Sequence, residues 1–286
     1  MNALSADRQL QRALRGPRPL VVVVGVLMAV YLLVPMLIVI PASFTSGSFL
    51  EIPPRGLSLR WYEAVLGDSQ WARALQTSLK ASFAASLVAT AVATLAVLGI
   101  SRSPRSAKVL RPVFFLPMVL PLVVLALGLG ELTRTVGITG SLLPVVVGQA
   151  VLCVPIAFVA VAGGMASIDP ALSRAASSMG SSWWRTAWRV ELPLLRRSIL
   201  VAFFLSFAFA FDEVVLALFL APPGQSTLPA KLYTEATQNV SPLLASVSGC
   251  IILFTLLLFL LVALAGRATR SRSRALRGSH GKADPA

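Results

Sequence analysis

Acidic side chains are scarce in this 286-residue chain, which holds 11 Asp and Glu against 25 Lys and Arg and has only 13% charged residues in all. An average soluble domain carries roughly 25%, so an ordinary water-soluble globule is excluded. Histidine is scarcer still: His280, in the tail, is the only one. It excludes an HExxH metal site and leaves a Ser or Cys nucleophile without a histidine base nearby in sequence. The two cysteines, Cys153 and Cys250, sit inside apolar runs, so there is no disulfide framework and no CxxC pair. None of the four lysines, Lys80, Lys108, Lys231 and Lys282, is followed by Ser or Thr. A GxxxxGK[ST] phosphate loop is therefore missing, and the chain carries no ATP site of that kind. Asp212 and Glu213 are sequence neighbours, about 100° apart on a helix, and so do not form an aspartyl dyad. No enzyme, metal centre or cofactor is expected.

Apolar length is what the sequence has in abundance: 56% of residues are hydrophobic, and the mean hydropathy is +0.81. A bilayer core about 30 Å thick takes about 20 apolar residues of helix. Six stretches meet that length, namely 20–40, 78–99, 113–132, 142–162, 199–220 and 244–265. The expected class is an all-α polytopic membrane protein with six transmembrane helices. The first stretch follows Arg8, Arg12, Arg15 and Arg18 but, at 21 residues, exceeds a signal-peptide core and has no small-residue cleavage site after it. It reads as a retained span. The domain plan is a basic arm over 1–19, a six-span body over 20–266 and a basic tail over 267–286.

The charges orient this layout. Segments 1–19, 100–112, 163–198 and 266–286 hold four, four, five and six Lys or Arg, 19 of the 25. By the positive-inside rule these segments, and both termini, are cytoplasmic. The net charge of +14 is thus topology, and no nucleic-acid partner is implied. On the other side, Trp61 and Tyr62 mark a short interfacial helix over 57–62, and Leu228 to Val240 a second one opening at Pro229.

The cytoplasmic loop 165–198 is the most structured reading in the chain. Asp169 is suited to an N-cap, Pro170 to the first helical position and Gly180 to the turn that stops the helix. A second short helix is expected from Ser182, with Trp184 and Trp188 on one face and Arg185 and Arg189 beside them. Ala171, Ala175 and Ala176 make a small face that another protein can approach closely. Physics alone leaves two readings, a docking element or a Trp/Arg anchor at the membrane surface.

Ala175-Ala176-x-x-x-Gly180, followed after nine residues by Val190-x-Leu192-Pro193, resembles the EAA loop of bacterial ABC importer permeases. Ala210-Phe211-Asp212-Glu213-Val214 and Thr227-Leu228-Pro229 resemble the branch that serves spermidine and putrescine uptake. The resemblance implies a type I ABC importer permease fold in the bacterial inner membrane. The implied partners are two ATP-binding subunits, a sister permease (in a heterodimer, with a homodimer open) and an extracytoplasmic substrate-binding protein. Arg174, Ala175, Ala176, Gly180, Leu192 and Pro193 become the implied ATPase-docking residues. Arg174 stands where the motif usually has Glu, which reverses the charge offered there.

Asp212 and Glu213 fall about one turn past the middle of the fifth stretch. Carboxylates at such depth cost about 2.5–3.5 kcal/mol each on insertion scales, so they face a watery path or a partner. A cation step in a translocation path and a structural polar cluster both fit. A self-contained cation channel or proton-coupled carrier using this pair is the alternative to the permease reading.

Overall fold

The computed structural model describes residues 18–49, 51, 53–54, 56–102, 104–238 and 241–257. The basic arm up to residue 17 and the tail from 267 lie outside them. The described chain is helical apart from one isolated antiparallel bridge, Thr45 with Leu57, and it divides into two compact units.

The smaller unit comprises residues up to Val65 together with 240–250. Its long element is α1 (Arg18–Ser43), charge-free beyond its first residue and exposed over nearly its whole length. Such a surface suits lipid, not a core. Past its end the chain turns through the Thr45 bridge into α2 (Arg60–Gly67). The short helix expected over 57–62 is therefore present but starts three residues later than 57. Polar contacts pin this corner: the Ser43 and Tyr62 hydroxyls are 2.7 Å apart, and Ser246 donates to the Ser43 carbonyl at 2.9 Å. Trp61 Nε1 donates to the Gly47 carbonyl at 3.2 Å. Gly249 admits the Tyr62 hydroxyl so closely that a Cβ there would lie 2.7 Å from it.

The larger unit spans 66–239 and the residues after 250. Its frame is α3 (Ser69–Ile100), α6 (Leu143–Ala166) and α8 (Trp183–Asp212). Along α3, Ala81, Ala85, Ala89 and Ala93 recur every four residues and are fully buried, with Ser78, Ser82 and Ser86 beside them. Four-residue spacing places them on one stripe, and small side chains let helix backbones close in without a hydrophobic drive from water. Ala85 and Ala89 meet Ala150 and Cys153 of α6 and Ala210 of α8. Near the far end of α6, Gly164 lies against Ser198, midway along α8. Two apolar clusters flank this seam, one around Val97, Phe158, Val161, Ala187 and Leu195, the other around Ala81, Ala126, Val145, Leu152 and Leu216.

Three expectations are corrected. The stretch 113–132 is not one span but two helices, α4 (Pro104–Val119) and α5 (Leu122–Thr135), meeting at 98°. Pro121 sits at the break, where it lacks an N–H and its ring crowds the carbonyl of Pro117. The fifth stretch does not run to 220: α8 ends at Asp212, and a separate α9 (Val215–Leu220) follows. Nor is there a free-standing second helix after Gly180, because Trp183–Asp212 is one continuous helix of 30 residues. Four helices among the described residues are long and apolar enough to cross a bilayer, five if the broken pair is one crossing. The described part of the sixth stretch is apolar helix, within Pro242–Leu257, and the rest of that stretch lies outside the described residues. The loop helix expected over 228–240 is α10 (Leu228–Gln238), fastened to α3 by Ser78 Oγ accepting from the Leu228 N–H at 2.7 Å.

Candidate functional site

Two sites lie at opposite ends of α8. At the Trp183 end, the local chemistry of the loop is as expected. Asp169 Oδ1 accepts from the Ala171 N–H at 2.8 Å, Pro170 opens α7 (Pro170–Ser178), and Gly180 adopts φ +79°, a left-handed conformation that favours glycine. The Ser181 N–H closes the turn onto the Ala176 carbonyl at 3.0 Å. Of the residues singled out for docking, Arg174, Ala175, Gly180 and Pro193 are exposed. Ala176 is buried against the chain's own interior and Leu192 is half-buried, so these two support the surface without forming it.

Trp183, Trp184 and Trp188 are each about half exposed and pack in series, the first pair tilted and the second edge to face, with ring centroids 5.4 and 5.7 Å apart. They wall one end of a groove of 610 Å³ between α3 and α8, which also takes in Thr90, Thr94, Arg196 and Phe203.

The residue that sequence reasoning missed here is Glu191. It lies at the end of a π-helical turn, Ala187–Glu191, and is only 2% exposed. The Arg102 guanidinium, just past the end of α3, donates to both Glu191 oxygens at 2.8 Å, and the Ser173 hydroxyl of α7 donates to Oε1 at 2.9 Å. Arg102 also lies over the Trp183 ring, 5.9 Å from its centroid. Glu191 and Arg102 are 89 positions apart, and nothing in composition or spacing links them. The only sequence signal was an acid set among five basic residues of the loop.

At the other end of α8 the acidic pair is split. Glu213 adopts extended backbone just beyond the helix, is 8% exposed, and accepts the Leu216 N–H with both oxygens at 3.0 and 2.9 Å, capping α9. Asp212, on the last turn of α8, is exposed. Beside it Gln149 Nε2 donates to the Ala210 carbonyl at 2.9 Å and Cys153 Sγ to that of Ser206 at 3.3 Å, fastening the end of α8 to α6. Glu131 pairs with Arg134 at 2.8 Å on an exposed turn of α5.

Comparison with known proteins identifies the family. Residues 88–271 match the family model of the binding-protein-dependent transport system inner membrane component. The chain is 26% identical over 229 residues to the spermidine/putrescine transport system permease protein PotC of Escherichia coli K12, covering 80% of this chain and 86% of that one. It is 30% identical over 244 residues to the putative 2-aminoethylphosphonate transport system permease protein PhnV of Salmonella typhimurium LT2, covering 84% and 91%. In fold it is similar to a chain of the bacterial ABC transporter involved in import of the acidic polysaccharide alginate, with TM-score 0.69 and 15% identity over 92% of this chain and 99% of that one. The chain belongs to the family of inner-membrane permease components of binding-protein-dependent ABC importers.

Proposed function

We propose that this permease forms the translocation path for a small solute carrying protonated amines, a polyamine in the first instance, and is driven by ATP-binding subunits docked on its 165–198 loop. The observation that carries the reading is the loop itself: a capped helix, a left-handed glycine and exposed Arg174 and Ala175 present a defined surface on the strongly basic side of the chain. That basic side faces the cytoplasm in our reading, with both termini, and the working unit adds a sister permease and an external substrate-binding protein. The solute assignment draws support from two relatives. Spermidine and putrescine, in the name of PotC, and 2-aminoethylphosphonate, in that of PhnV, share an aminoalkyl group that is protonated at neutral pH. Asp212, exposed at the end of α8, is the side chain suited to meet such an ammonium group. Glu213 acts differently, shaping the break that leaves Asp212 at a helix end.

Uptake of labelled spermidine into vesicles holding the chain with candidate ATPase and sister permease subunits tests both halves. Gly180→Trp, which puts a bulky side chain at a left-handed position, is expected to abolish ATPase association and uptake together. Normal uptake in that variant would overturn the docking role. Flux through the purified chain without any ATPase would favour a self-contained carrier.

A further inference from the structure

We infer that Glu191 is the positioning residue that makes α7, the start of α8 and the end of α3 move as one body, so that displacement of the docking loop is carried into the membrane helices. The inference rests on the docking role proposed for that loop. Its ground is how little else holds α7. Ala176 is the only buried residue of that helix, Gly180 follows it with open space around its Cα, and its other side-chain hydrogen bonds, the Ala171 N–H to Asp169 and the Ser177 hydroxyl to the Ser173 carbonyl, are local to the loop. Pushed from outside, a helix hinged at a glycine would swing without carrying its neighbours. Ser173 removes that freedom by donating to Glu191, and Glu191 passes the constraint on through two charge-assisted bonds from Arg102.

The placement of the three partners fits transmission. Arg102 stands in the turn between α3 and α4, next to the broken helix pair, so a shift felt there reaches both. Glu191 closes a π turn, whose extra residue rotates the helix that follows by about 100° relative to an unbroken α-helix. Trp183 and Trp188 thus face outward while Glu191, three residues past Trp188, is buried. Arg102 Nη2 reaches both Glu191 oxygens, and a planar guanidinium gives up less freedom in making such bonds than a flexible ammonium does.

The test attaches spin labels at Met179, 82% exposed at the end of α7, and Leu95, 59% exposed on α3, with Cys153 and Cys250 replaced by alanine, in the complex with its ATPase subunits. In the parent protein the distance between the labels is expected to stay narrow and unchanged when ATP is added. In Arg102→Met/Glu191→Met it is expected to broaden and shift with ATP, and spermidine taken up per ATP hydrolysed is expected to fall about tenfold, a coupling of ordinary size between sites. That double variant leaves no unpaired buried charge, so it is expected to keep thermal stability near the parent's; a purely structural role would return coupling along with stability. An unchanged distance distribution and unchanged uptake per ATP in the double variant would overturn the inference. Loss of ATPase association in it would also overturn it, by making Glu191 part of the docking surface, whereas failure of the docking reading itself appears separately, as normal association in Gly180→Trp.

Discussion

The two ends of α8 each bury a carboxylate beside a break in regular helix, and they satisfy it by opposite means. At the Trp183 end, Glu191 sits on a π turn and is held by a guanidinium and a hydroxyl from two other elements. At the Asp212 end, Glu213 is held by the backbone N–H of Leu216, three residues on. One arrangement is long-range and ties helices to one another; the other is local and shapes a single chain reversal. A buried acid in a membrane protein therefore need not mark a substrate path. What distinguishes the two is the partner, and the one acid of this set left open to the surroundings is Asp212.

Removing partners one at a time separates the two arrangements. The largest effect is expected from Arg102→Leu, which leaves the Glu191 carboxylate, only 2% exposed, without its counter-charge. Stability of the detergent-purified protein is expected to fall by about 3–5 kcal/mol, read as a lowered melting temperature, with most of it recovered when Glu191 is also replaced by Leu. Glu213→Ala is expected to cost less, about 1–3 kcal/mol, because what is orphaned is a neutral N–H. Adding a second substitution at Arg102 should bring no recovery there. Asp169→Ala removes only the cap of α7 and is expected to cost about 1 kcal/mol, seen as faster amide exchange confined to residues 170–178. At the bottom of the scale, Asp212→Asn is expected to leave the melting temperature where it is while reducing spermidine uptake. A lowered melting temperature with full uptake would put Asp212 in the same structural class as Glu213.

Much of the 165–198 loop was legible because its signals are local. Asp169, Pro170 and Gly180 act on backbone groups within a few residues of themselves, and the structure uses each as its chemistry suggests. The break at Pro121 was harder to read. Prolines occur in membrane helices of every function, and whether one kinks or breaks a helix depends on what re-satisfies the freed carbonyls. Here Pro117 and Pro121 act four residues apart, and α5 departs at 98° to pack Ala126 against Leu216 and Ala217 of α9. The end of α8 at Asp212 was hidden by hydropathy, since Val214 to Leu220 is as apolar as the helix before it. Only the capping geometry of Glu213 marks the stop.

By itself the sequence determined the apolar, helical membrane class, the clustering of basic residues along the chain, and the cap and turn of α7, all set by composition or by interactions spanning a few residues. Tertiary structure alone decided which small face of α3 is buried, that Ala176 faces inward while Ala175 stays exposed, and that Glu191 meets an arginine 89 positions away. The physical reason is common to these. Burial and ion pairing are properties of the space between helices, and along the long helices, which are apolar on nearly every side, periodicity carries little information about which side meets protein and which meets lipid.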